Sequence, residues 1–92
     1  MSEQSVLLGE VERAEKAKSI LDSELVAEAI DKLRKTVVSE FLDTKSVDTD
    51  KLQMLALKRD VVEQFVNHFR QIIQTGKLAS VQLSQSQGRK QK

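Results

Sequence analysis

Ninety-two residues make one small domain at most, and the absence of cysteine excludes disulfides and thiolate chemistry. No proline, three isolated glycines and 32% charged residues describe a chain that favours helix almost throughout, with solvated outer faces. Formal net charge is only +1, yet residues 1–50 carry 12 acids against 7 bases while residues 51–92 carry 2 acids against 8 bases, and no acid follows Glu63.

The N-terminal stretch MSEQSVLLGEVERAEK has neither a basic n-region nor a long apolar run, so it does not read as a secretory signal. No stretch approaches the ~20 apolar residues of a membrane span. From about Val6 to Leu21 the pattern predicts a helix with a narrow stripe of Leu7, Ala14, Ala17 and Leu21, interrupted by Glu10. Alanine at two of these positions permits close approach to another helix but buries little area. Asp22-Ser23 then offers a cap, with Glu24 in a new first turn; the alternative to a break there is one bent rod, and the break is the favoured reading.

From Glu24 to Asp43, Val26, Ala29, Ile30, Leu33, Val37 and Phe41 recur at spacings of mostly three or four, predicting a second amphipathic helix. The connection Asp43-Thr44-Lys45-Ser46-Val47-Asp48 is short and rich in side chains that hydrogen-bond locally. So short a link implies antiparallel neighbours.

The third helix, expected over 49–75, is the main apolar element. Met54, Leu55, Val61, Val62, Phe65, Val66, Phe69, Ile72 and Ile73 fall on one broad face of its wheel, with Lys58 near the centre of that face; Glu63, Gln64, Asn67 and Arg70 lie opposite. Asp48 or Thr49 can cap its N-terminus; with Asp48 as N-cap, Val47 and Leu52 have the spacing of a hydrophobic staple, and Gly76 is expected to stop the helix as a left-handed C′ residue. Residues 80–92, rich in Ser and Gln and ending in Arg89, Lys90 and Lys92, read as a flexible tail. The expected fold is therefore all-α: residues 1–79 form one helical domain, an antiparallel αα-hairpin of two long amphipathic helices with a shorter N-terminal helix, followed by a disordered tail.

Little in the chain suggests catalysis. His68 is the single histidine and sits at the edge of the apolar face, with no second ligand spacing around it. Asp43, Asp48 and Asp50 lack calcium-loop spacing and its glycine, and turn or capping roles account for them. No glycine-rich phosphate loop exists, and no hydroxyl nucleophile pairs with His68. No enzyme, cofactor or metal is expected. Lys58 has two readings: a snorkelling stem, or an ion pair to an acid of a facing helix or subunit that sets register.

Several features together resemble the short, mostly uncharacterised helical proteins of tailed bacteriophages. They are Arg13-Ala14, Ala17, Ile20-Leu21 and Glu28-Ala29, then Asp48 and Leu52, and Thr75-Gly76-Lys77-Leu78-Ala79, covering roughly residues 12–79. That resemblance implies a virion-assembly gene neighbourhood, a structural role, and a location in the host cytoplasm during assembly or in the virion. It carries no catalytic residues over.

Two functional classes follow. In the first, a structural or assembly protein uses Met54, Leu55, Lys58, Val61, Val62, Phe65, Phe69, Ile72 and Ile73 to associate with copies of itself or with a larger virion protein. In the second, a packaging accessory or regulator touches nucleic acid through Arg89, Lys90 and Lys92, which would add salt-sensitive phosphate contacts. The broad apolar helix favours the first.

Overall fold

A computed structural model describes residues 3–90, with side chains for 3–86. The described chain is all-helical: α1 spans Glu3–Asp22, α2 spans Glu24–Asp43 and α3 spans Thr49–Lys90. Among the described residues there is no strand, and no helix is long and apolar enough to cross a membrane. These elements gather into two compact units, one made of α1 with α3 from His68 onward, the other of Asp22–Asn67.

The expected break between α1 and α2 falls at Ser23, whose extended backbone (φ −59°, ψ 127°) leaves the helix. Its carbonyl accepts the first bond of α2, from the Ala27 amide at 2.8 Å. Its side chain makes no capping hydrogen bond. At the far end of α2 the chain turns out at Thr44, whose hydroxyl donates to the Glu40 carbonyl at 2.6 Å and whose amide donates to Phe41 O at 3.2 Å. These two bonds satisfy carbonyls that the last helical turn would otherwise leave open. Of the two candidate caps of α3, Asp48 is the one that serves. Its carboxylate accepts the Lys51 amide at 3.3 Å and its carbonyl accepts the Leu52 amide at 3.1 Å. The staple expected beside this cap does not form, because Val47 is 83% exposed and so contributes no packing over Leu52.

In the unit Asp22–Asn67, α2 and the first part of α3 run antiparallel: Arg34 meets Glu63, and nearer the turn Glu40 meets Lys58. Ile30, Leu55 and Val66 are buried there, and Leu55 is the one large side chain of the described residues with almost no exposed surface. Burying such a leucine stabilises by about 1.5–3 kcal/mol. Val26 and Val37 of α2, with Leu52 and Val62 of α3, are half-buried around that row.

In the other unit α1 packs on the second part of α3, also antiparallel. Leu7 stands beside Gln82 and Ser86, and Ala14 faces Gly76. Leu7, Ala17 and Ala79 are buried, as is Gly76. The expected stripe of α1 is thus the packed one, with Ala14, Leu21 and the intruding Glu10 half-buried.

Two expectations are corrected here. Gly76 does not end α3, which continues to Lys90, so the described part of the supposed tail is helical. No described glycine has positive φ, so Gly76 is not a left-handed stop. Its missing side chain serves proximity instead: a Cβ built at Gly76 would overlap the Ala14 methyl and crowd the Glu10 carbonyl at 3.1 Å. Beyond it Ala79 is buried and Leu83 half-buried, which supplies the tertiary anchoring that a Ser/Gln-rich segment lacks alone.

Candidate interaction surface

The surface that stands out is apolar, and it is built by α2 and α3 within the unit Asp22–Asn67. A helix with one antiparallel neighbour covers only a narrow arc of its circumference. The residues of α3 turned towards α2 are Leu52, Leu55, Val62, Glu63 and Val66, all buried or half-buried. The broad apolar arc of α3 is wider than this. Met54, Leu57, Val61 and Phe65 therefore stand to one side of the contact, between 54% and 65% exposed.

Leu33 and Val37 of α2, with Met54, Leu57, Val61 and Val62 of α3, line an open groove of about 590 Å³. Thr36, Glu40 and Lys58 complete its wall. The opposite side of the same helix pair carries a second apolar hollow of about 320 Å³, lined by Val38, Phe41 and Leu42 of α2 and by Leu55, Ala56 and Arg59 of α3. Within this unit three apolar side chains are buried, whereas ten large ones stand exposed. Two helices lack the area to cover one another's apolar faces.

Electrostatics organise the contact rather than the groove. Arg34 grips Glu63 with two hydrogen bonds, Nε to Oε2 at 2.8 Å and Nη2 to Oε1 at 2.9 Å, in the forked geometry that suits guanidinium and carboxylate. The hydrogen bond to Glu63 holds the Arg34 pKa above its ordinary value, against a smaller opposing effect of desolvation. Both side chains are 39% exposed, so solvent screens the pair. Lys58 reaches Glu40 at 3.8 Å, so of its two readings the ion pair across α2 and α3 is present; both side chains are about half exposed.

The nine residues expected on one interface do not share one environment. Leu55 is buried; Val62, Phe69, Ile72 and Ile73 are half-buried; Met54, Lys58, Val61 and Phe65 are exposed. Leu55 is consumed by the intramolecular contact, and Val62 is half-buried between that contact and the open groove. Ile72 lines a cleft of about 230 Å³ with His68, Gln71 and Thr75 of α3 and Glu10 and Arg13 of α1. Among the described residues no group of three or more His, Asp or Glu side chains is placed to hold a metal ion. Of the candidate nucleic-acid contacts, Arg89 and Lys90 belong to the last turn of α3, and Lys92 lies outside the described residues.

Sequence reasoning missed the role of Glu63, which the wheel sets on the polar side. It also omitted Leu57, now part of the groove. Arg34 and Glu63 are 29 residues apart, and no local spacing links them. Their pairing requires the register of α2 on α3. No family model matches the chain, and no curated protein or solved structure matches it either.

Proposed function

We propose that this protein is a non-enzymatic structural or assembly component that works through helix-mediated association, with copies of itself or with a larger virion protein. The observation that carries this reading is the apolar surface of α2 and α3, where Leu33, Met54, Leu57 and Val61 are all more than half exposed. Contiguous apolar surface of this kind marks interaction sites in small proteins. The resemblance to small helical bacteriophage proteins supports a virion-assembly setting.

The alternative, a nucleic-acid-associated accessory, draws on the acid-free stretch after Glu63 and on Arg89, Lys90 and Lys92. It predicts a salt-sensitive shift of DNA that is abolished when residues 84–92 are deleted.

Solution mass by light scattering tests the first reading, with refractive-index detection because the chain has neither Trp nor Tyr. A discrete oligomer without DNA binding supports association as the function. A folded monomer defeats self-association and leaves docking on another protein as the form of the proposal to be tested.

A further inference from the structure

The two helix contacts of this chain differ in what each needs before it can form. Residues 44–48 join α2 to α3, so packing that pair closes a short loop. Ala14 and Gly76 touch although the whole of α2 and the first part of α3 lie between them in sequence. Closing a longer loop costs more chain entropy. The α2–α3 contact has already folded that length back on itself. It can therefore stand without α1, whereas the α1–α3 contact depends on it.

Side chains grade the two contacts in the same order. Ile30, Leu55 and Val66, all branched, are buried within Asp22–Asn67, and Arg34–Glu63 and Lys58–Glu40 cross there from helix to helix. The ion pairs of the described residues all fall within that unit. In the unit of α1, Leu7 is buried together with Ala17, Gly76 and Ala79, and glycine and alanine remove little apolar area from water. Val6, Leu8 and Ile20 of α1 lie off the packed stripe and are exposed. Across the contact Ile72, Ile73 and Leu83 of α3 are half-buried, so the small side chains of α1 cover them incompletely. Glu10 stands within the stripe, half-buried, in the cleft beside Ile72. A carboxylate that loses part of its hydration weakens the apolar contact it interrupts.

The joint is as light as the contact. Ser23 makes no side-chain capping bond, so movement there sacrifices none. Its carbonyl bond to the Ala27 amide belongs to α2 and persists when α1 moves.

We infer that α1 is a releasable arm. It undocks from α3 by rotation about Ser23 while α2 and the first part of α3 stay packed, and its release uncovers the α3 strip of Ile72, Ile73, Gly76, Ala79 and Leu83. With α1 docked that strip is closed to any other helix, so the arm gates it. Arm release does not depend on the association reading above.

Thiol labelling under native conditions tests this on the full chain, which has no cysteine of its own. Ala79→Cys places a thiol in the contact with α1, and Val66→Cys places one in the contact with α2; the native side chains are 1% and 3% exposed. Ala17→Cys repeats the first measurement from the α1 side, which separates arm release from any local effect of the new sulfur at position 79. Circular dichroism establishes that each variant is helical. An aromatic disulfide reagent should label Ala79→Cys and Ala17→Cys at least about tenfold faster than Val66→Cys. The two faster rates should also rise less steeply with urea, because releasing one arm exposes less surface than unfolding the chain. Adding Arg34→Ala, which weakens the α2–α3 contact, should speed labelling of Val66→Cys and leave Ala79→Cys nearly unchanged. Equal rates at the three positions, or an equal acceleration by Arg34→Ala, would mean that the chain opens as one unit and would overturn the proposal. Faster labelling of Val66→Cys would reverse the order of opening and overturn it as well.

Discussion

Gly76 of α3 lies against Ala14 of α1 so closely that a methyl group at position 76 would occupy the space of the Ala14 side chain. Glycine in a helix interior ordinarily destabilises by about 1 kcal/mol relative to alanine. Here the substitution that local propensity recommends collides with tertiary packing. Gly76→Ala should therefore lower stability by about 1–2 kcal/mol, since overpacking a close contact typically costs about 1–3 kcal/mol. Adding Ala14→Gly should restore part of that loss, a coupling that a double-mutant cycle measures. Gly9 provides the contrast, because nothing lies within 4 Å of a Cβ built there. Gly9→Ala should stabilise by up to about 1 kcal/mol. Equal responses at the two glycines in a denaturant titration would refute the close-packing account.

The Arg34–Glu63 pair joins α2 to α3 through two parallel hydrogen bonds. Arg34→Lys keeps the charge but loses the fork, so it should lower the unfolding midpoint nearly as much as Arg34→Ala. The swapped protein, Arg34→Glu with Glu63→Arg, should recover most of the loss. If the lysine variant matches the native midpoint, charge alone suffices and the forked geometry contributes nothing.

Lys58 interrupts the apolar side of α3 and reaches Glu40 at the edge of the groove. Lys58→Met should raise stability, because a half-exposed ion pair contributes little while an added apolar side chain extends the groove. The same change should broaden the oligomer distribution, since the charge that discourages wrong registers is gone. An unchanged distribution in sedimentation would remove Lys58 from any role in register.

On the outer face of α2, the Lys35 ammonium donates to Asp31 Oδ2 at 2.9 Å. That hydrogen bond, and then the attraction of the Asp31 charge, hold the Lys35 pKa above its ordinary 10.5 against weaker desolvation. A folded-state pKa raised above the unfolded one contributes stability that is complete below the unfolded value and is lost as pH rises through the folded value. The difference in thermal midpoint between the native protein and Asp31→Asn should therefore be constant from neutral pH to about pH 9.5 and shrink above about pH 10.5. A difference that shrinks already below pH 9 would show that Lys35 is not the group responsible.

Much of the architecture was legible from residue types. Helix-favouring composition, the Ala and Leu stripe of α1, the break at Ser23 and the cap at Asp48 are local properties, and local properties are written in neighbouring residues. Gly76 marks where that legibility ends. Read locally, glycine followed by a Ser/Gln-rich stretch is a stop and a tail. In the folded chain the same glycine is the point of closest approach to α1, and α3 runs on to Lys90.

The apolar surface divides along the same line. The sequence by itself determined that α3 carries a broad apolar arc with Lys58 in its midst, because periodicity places side chains around a helix. Only the tertiary structure decided which part of that arc is consumed by α2. Leu55, Val62 and Val66 pack inward, and Met54, Leu57, Val61 and Phe65 stand exposed beside the groove. One antiparallel neighbour covers a narrow strip, and its register appears only in contacts such as Arg34–Glu63 that span 29 residues, a separation at which the spacing of residues within a single helix carries no information.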